Sequence, residues 1–317
     1  MSPPKKPIRT ISAVIDQIAD SGGIRKLVLR QPDGWELPPF RPGAHIDIHL
    51  PIGLVESYSL CCNSLSQTEY VVAVKKDVGG RGGSIYIHEH LKQGDTIEIS
   101  LPRCTFPLAT PSKHHIFIAG GIGITPFISM AYELDALNQY YELHLFFRQH
   151  IPLASELKNI GVAGKIFLHD RADGQCDRLL AQLLDKPIPG AHVYCCGPPR
   201  MVEEFNALTT KWDADVVHVE HFIAPTLEPL TTSYNLVLKK SNLVLPVPAG
   251  GNALQVIHDA GVELDSSCEG GICGACVVEW IEGEPLHRDS CLTDTQRLQQ
   301  FITCVGGCCS SRLVINL

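Results

Sequence analysis

The chain has 317 residues, with 34 acidic against 26 basic side chains and a formal net charge of −8. That length accommodates two or three domains with separate cores, and the acidic balance argues against nucleic acid as a partner. No stretch is apolar for long enough to span a bilayer, and the opening MSPPKKPIRT lacks the apolar core of a signal peptide, so a cytoplasmic protein is expected. The thirteen cysteines are odd in number and several lie in apolar strands, which favours reduced thiols and a metal cluster over disulfides.

In chain order, short strands are predicted at 8–18, 25–31, 44–50, 57–62, 69–75 and 95–100, as in the alternating His45-Ile46-Asp47-Ile48-His49-Leu50. Turn signals such as Pro32-Asp33-Gly34 and Gly79-Gly80 separate them, which predicts an antiparallel β-barrel over 1–109. Within it, Tyr58-Ser59-Leu60 and the run Gly79-Gly80-Arg81-Gly82-Gly83-Ser84 ahead of a helical stretch suggest a flavin site. The aromatic ring can lie against an isoalloxazine, and a glycine-rich turn entering a helix offers backbone N–H groups to a phosphate. Singly each is weak, since a barrel tyrosine is more often core and a glycine run more often a turn.

From 110 to 225 the pattern changes. Apolar strands at 115–119, 142–147, 165–170 and 191–195 alternate with helical patterns at 125–137, 177–184 and 199–209, which predicts a parallel α/β nucleotide-binding domain. Its first strand runs through Gly120-Gly121-Ile122-Gly123-Ile124-Thr125-Pro126 into a helix, and a later one ends in Cys195-Cys196-Gly197-Pro198-Pro199. Two such turns on one rim of a parallel sheet can clamp a nicotinamide. Arg148 and Asp170 end strands on the same rim and could meet ribose or pyrophosphate, or be solvated loop residues. Asp170 favours NADH over NADPH, with Arg171 leaving that open. His114, His115 and His144 flank apolar strands and are expected at strand edges. The pairs Cys61-Cys62 and Cys308-Cys309 are expected to point to opposite strand faces and to carry no redox role.

The segment Ala224 to Pro229 reads as a linker to a third domain, 226–317. There Cys268-Glu269-Gly270-Gly271-Ile272-Cys273-Gly274-Ala275-Cys276 has the C-x4-C-x2-C spacing of a plant-type [2Fe–2S] site with one distant fourth ligand. The glycines let the loop turn sharply and expose N–H groups toward sulfur. Cys304 is preferred as fourth ligand because it lies between apolar Phe301-Ile302-Thr303 and the terminal strand, with Cys291, Cys308 and Cys309 as rivals. A zinc ribbon would use Cys273 and Cys276 but has no need of Cys268 at that offset or of so many glycines. None of the fourteen histidines forms the paired Cys-x-His pattern of a Rieske centre.

The motifs GGRGGS (79–84), AGGIGITP (119–126), YCCGPP (194–199), SSCEGGICGACV (266–277) and HRD (287–289) resemble the reductases of phthalate dioxygenase and vanillate demethylase type over nearly the whole chain. The resemblance implies a flavin barrel, a nucleotide domain and a C-terminal β-grasp ferredoxin domain, with FMN, NADH and a [2Fe–2S] cluster as cofactors. It implies a separate terminal Rieske-type oxygenase as protein partner, and it places Glu56, Ser57, Tyr58 and Ser59 on the family's Arg-x-Tyr-Ser flavin motif. Ala73, Val74 and Lys75 would line the flavin ring, with Gly82, Gly83 and Ser84 at the phosphate. Thr125 would stand between flavin and nucleotide, Cys196 near the nicotinamide and Phe222 near the flavin ring. The cluster ligands would be Cys268, Cys273, Cys276 and Cys304. One departure matters: Glu56 stands where the family has an arginine that neutralises the flavin phosphate, and a carboxylate there repels it. A second reading follows, an electron carrier or docking module whose flavin site is weakened by Glu56. A monomer is the simplest expectation for three linked domains.

Overall fold

The computed structural model describes residues 10–110, 112, 114–173, 179–224 and 227–317, so Ile8 and Arg9, Asp177 and Arg178, and Pro225 and Thr226 of the expected elements lie outside the described residues. The chain divides into two compact units, Met1–Phe222 and Ile223–Leu317.

The first unit opens with β1 (Thr10–Ser21), β2 (Ile24–Arg30), β3 (His45–His49), β4 (Val55–Ser59), β5 (Tyr70–Lys75), helix α1 (Gly83–Glu89) and β6 (Thr96–Ser100). These strands form one antiparallel sheet in the order β4-β3-β6-β1-β2-β5, and a bridge between Leu60 and Val72 joins its two ends into a barrel. Alternation is what fills it. Inward residues such as Ile15, Leu27, Leu29, Ile46, Ile48, Val72, Val74, Ile97 and Ile99 make its core.

A parallel sheet follows, built from β7 (His114–Gly120), α2 (Thr125–Ala136), β8 (Tyr141–Phe147), α3 (Ala154–Leu157), β9 (Lys165–Asp170), α4 (Leu179–Leu184), β10 (Ala191–Cys196), α5 (Pro199–Leu208) and β11 (Val217–Glu220). Its order is β11-β10-β7-β8-β9, so the chain reverses its direction of sheet growth between β7 and β10. Ligands of open α/β sheets dock at such a switch point, beyond the carboxyl ends of the strands. Barrel and sheet share one core: Val28, Val71 and Ala73 pack with Phe127, Ile128, Met130 and Ala131 of α2. Lys26 pairs with Glu156 at 2.5 Å, and the Gly43 N–H donates to Ser129 Oγ at 3.0 Å.

His115 and His144 are not at strand edges. Both are buried within β7 and β8; His115 lies against Phe117, His192 and Tyr194, while His144 Nδ1 sits 3.0 Å from His169 Nε2 and stacks on Phe167. Burial lowers His115, His144 and His218 to about 4 from an ordinary 6.5. The unfolded chain therefore binds protons first as pH falls below 6.5. The stability held above that pH is lost on the way down to 4, by about 3 kcal/mol per histidine before solvent screening and less after it. Urea midpoints should fall steeply between pH 7 and pH 5, and a flat profile across that window would contradict this account.

The second unit comprises β12 (Tyr234–Leu238), β13 (Leu243–Val247), α6 (Ala253–Asp259), β14 (Val277–Glu282), β15 (Pro285–Leu286), α7 (Asp294–Arg297), β16 (Gln300–Ile302), β17 (Gly307–Cys308) and β18 (Arg312–Ile315). Its sheet runs β13-β12-β18-β14-β16, with β12 and β18 parallel and the other pairs antiparallel. Ala253 and Ile257 of α6 pack onto Leu236, Leu238, Phe301, Leu313 and Ile315, the β-grasp arrangement. Asn252 caps α6 by accepting from the Gln255 N–H at 2.8 Å. The long loop between α6 and β14 carries the cysteine motif.

Candidate functional site

In the cysteine loop the backbone does what the spacing requires. Glu269, Gly271 and Gly274 have φ of 51°, 73° and 71°, and the Gly270 and Cys273 N–H groups each reach Cys268 Sγ at 3.4 Å. A side chain on Gly271 would meet Val305 Cγ2 at 2.7 Å and Asp289 Cα at 3.1 Å, so the loop has room for glycine alone there. The thiols form two pairs. Cys268 accepts from the Cys273 thiol and from backbone N–H groups, which pulls it down to about 6 while Cys273 is pushed up. Cys276 is likewise lowered by the Cys304 thiol, and Cys304 raised. Among the described residues no group of three or more His, Cys, Asp or Glu side chains is placed to hold a single metal ion. Two irons with two thiolates each suit two pairs.

The rival ligands part company. Cys308 lies in the sheet core, with Ser310 Oγ at 3.2 Å and the Arg312 carbonyl at 3.5 Å, and Cys309 is exposed. Cys291 is buried beside Cys276 and Cys304, but its thiol faces the Asp289 carboxylate at 4.0 Å. That carboxylate is enclosed, accepts from the Leu292 N–H at 3.0 Å, and has Arg297 at 3.6 Å and His287 at 3.7 Å. Arg288 of the same HRD run donates to the Glu228 carbonyl.

On the barrel, Tyr58 and Ser59 end β4, and Ser57 Oγ donates to Asp47 Oδ1 at 2.7 Å, with Arg103 on the other oxygen of that carboxylate. Burial, and then the charge of Glu56, push the Tyr58 hydroxyl well above its usual range. Ala73 packs in the same core as Ile124, so β5 borders the Gly120–Thr125 turn, and Lys75 ends β5 in solvent. The Val74 side chain is inside the barrel, and its carbonyl is held by His88 at 2.8 Å. Ser84 Oγ accepts from the Asp77 N–H at 3.0 Å and fastens the 79–84 turn. Gly82, at φ 100°, precedes α1. Glu56 lies directly on this turn. Its carboxylate pairs with Arg81 at 3.3 Å, and a Cβ on Gly83 would come within 2.5 Å of its Cγ.

On the sheet, Gly121–Ile124 is a turn of 3-10 helix between β7 and α2, and Thr125 Oγ1 donates to the Ile122 carbonyl at 3.1 Å. A Cβ on Gly120 would meet Pro198 Cδ at 2.5 Å and Met201 Sδ at 2.8 Å, and one on Gly123 would fall on the Cys196 carbonyl oxygen. The two turns thus touch, with Gly197 in the contact. Gly123→Ala should cost about 1–3 kcal/mol through overpacking and weaken nicotinamide binding. Thermal midpoints and NADH titration check it, and an unchanged midpoint would argue against the contact.

Arg148 is exposed beyond β8, and Asp170 Oδ1 accepts from the Ala172 N–H at 2.9 Å, both on the carboxyl rim. Phe222 is 37% exposed and is not a core residue. One rim residue escaped the sequence reading. Glu220 ends β11 in register with Cys196, its carboxylate 4.0 Å from Cys196 Sγ. Burial of the carboxyl raises it to about 8, while the Cys196 thiol is pushed far above its usual value. The short alternation Val217-His218-Val219-Glu220 was the only signal for that strand. Cys61 and Cys62 follow β4 and are both buried in the core shared with α2, as free thiols bonded to the Val71 and Glu69 carbonyls.

Comparison with known proteins agrees with this layout. Residues 237–313 match the 2Fe-2S iron-sulfur cluster binding domain. Phthalate dioxygenase reductase of Burkholderia cepacia is 37% identical over 91% of each chain. A solved phthalate dioxygenase reductase, described as a modular structure for electron transfer from pyridine nucleotides to [2Fe-2S], superposes with a TM-score of 0.70 at 36% identity, covering 97% of this chain and 98% of that one. An intact type IV self-sufficient cytochrome P450 monooxygenase superposes at 0.88 and 33% identity, with 99% of this chain matching 43% of the other. With an antiparallel barrel, a switch-point sheet and a β-grasp unit joined in this order, the chain belongs to the family of oxygenase reductases typified by phthalate dioxygenase reductase and vanillate O-demethylase oxidoreductase.

Proposed function

We propose that the chain is the NADH-dependent reductase component of an oxygenase system, passing electrons from NADH through FMN to a [2Fe–2S] cluster and on to a terminal Rieske-type oxygenase. The C-x4-C-x2-C loop, with its glycine-shaped backbone and two N–H groups turned onto Cys268 Sγ, carries this reading. When bound, flavin converts the electron pair of a nicotinamide into single electrons, which a two-iron centre relays one at a time. The protein's part is orientation. The core shared by β5 and α2 fixes the Ala73 strand relative to the Gly120–Thr125 turn, and Gly197 with Pro198 closes the nucleotide from the other side. Glu220 and Cys196 stand at the rim, where a protonated carboxyl can donate to a carboxamide without adding charge. The assignment takes 1–109 as the flavin barrel, 110–225 as the NAD domain and 226–317 as the ferredoxin, in a monomeric cytoplasmic protein. Among the described residues no helix is long and apolar enough to cross a membrane.

A second reading is favoured by one observation, the Glu56 carboxylate lying on Arg81 and Gly83. In that reading the flavin is held too weakly to work and the ferredoxin end acts as a carrier. Flavin and iron assays on purified protein, with NADH-driven cytochrome c reduction, separate the two. Iron without flavin, and no NADH-driven reduction, would remove the first.

A further inference from the structure

The cluster loop has a neighbour that the four-ligand assignment leaves unused. The Ser290 N–H donates to the Gly271 carbonyl at 3.0 Å, and Asp289 Cα lies 3.1 Å from where a Gly271 Cβ would be, so the 289–291 backbone is docked on the middle of the loop. Arg297 holds that segment by donating to the Asp289 carbonyl at 2.7 Å. Independently, the Cys291 side chain, 9% exposed, packs in one small core with Cys276, Cys304, Ile302 and Val305. Among the described residues its thiol has Asp289 Oδ2 as a polar neighbour at 4.0 Å, a long and weak contact that a rotation about the Cα–Cβ bond would break.

Resting on the reading of this loop as a two-iron site, we propose that Cys291 is a reserve ligand, able to take the iron position of Cys304 when that sulfur is absent. The step is a ligand substitution. The Fe–S bond to residue 304 is missing or breaks, one to Cys291 Sγ forms, the thiol proton passes to water, and no electron is transferred. Cys291 already shares one small core with Cys276 and Cys304, whereas Cys308 and Cys309 lie outside it.

The test compares wild type, Cys304→Ala, Cys291→Ser and the double variant, each prepared anaerobically and read by iron, labile sulfide and EPR of the reduced protein. Cys291→Ser is expected to match wild type. Cys304→Ala is expected to keep a two-iron centre with shifted g values, and the double variant to lose it. A colourless Cys304→Ala of native thermal midpoint, or a double variant that retains the centre, overturns the proposal, as does loss of the centre in Cys291→Ser. If Cys304→Ala fails to fold, Cys304→Ser with and without Cys291→Ala decides the matter, since serine coordination would give the same spectrum in both. A wild type without any two-iron signal would instead sink the functional reading itself.

Discussion

Cys268→Ser is expected to remove the two-iron signal and to cut NADH-driven reduction of cytochrome c by about a hundredfold or more, because it deletes a ligand thiolate that no neighbouring sulfur can replace. Cys268 is the sulfur on which the loop concentrates its donors: two backbone N–H groups at 3.4 Å and the Cys273 thiol, which together lower it to about 6. A serine oxygen is a hard donor with a much higher pKa, and the same N–H groups cannot bring it to the alkoxide form at neutral pH. Cys291 packs with Cys276 and Cys304, the other pair of ligands. Ferricyanide, a small acceptor able to approach the flavin itself, should still be reduced. Iron and sulfide content, EPR and the two acceptor assays check this in one preparation. Wild-type cytochrome c reduction in a variant lacking the signal would show that electrons leave by another route.

How much of this was legible in the sequence depended on the range of the interactions. The cluster loop was legible because three ligands and their glycines lie within Cys268–Cys276, where backbone geometry alone brings them together. Barrel strands such as His45–His49 and Thr96–Ser100 follow from two-residue alternation. Longer-range pairing was not legible. β11 is four residues long and exists because β10 offers it a parallel edge, so Glu220 stayed hidden although its strand partner Cys196 was singled out. His115 and His144 read as edge residues because a histidine in an apolar run signals solvent, whereas ring contacts with neighbouring strands, His115 with His192 and Tyr194 and His144 with Phe167, keep them buried and neutral. Cys61 and Cys62 were expected on opposite faces of a strand. The strand stops at Ser59, and without its alternation both thiols enter the same core. The seat of Glu56 on the Gly83 turn joins two elements that residue patterns alone do not bring together and that only the family resemblance placed at one phosphate.

Glu56→Arg should tighten FMN binding by about tenfold, since it exchanges a repulsion for an attraction at a partly solvated site. In the native chain the carboxylate, 22% exposed, takes the Arg81 guanidinium at 3.3 Å and covers the backbone at Gly83. A phosphate arriving there must displace Glu56 from its partner or bind with two negative charges in close approach. Arg81 also donates to the Val55 carbonyl at 3.1 Å, so it is held on this side of the barrel and stays beside the carboxylate. Arginine at 56 would release Arg81 for the phosphate and add a second fork of donors to it. The gain should shrink as salt rises, because both charges are partly exposed. It should also be absent for riboflavin, which has the ring but no phosphate, and this separates electrostatics from a change in ring packing. Fluorescence titration of both flavins against both proteins, at low and high ionic strength, measures all three effects. Equal tightening of FMN and riboflavin would mean that Glu56 acts through the shape of the groove and not through its charge.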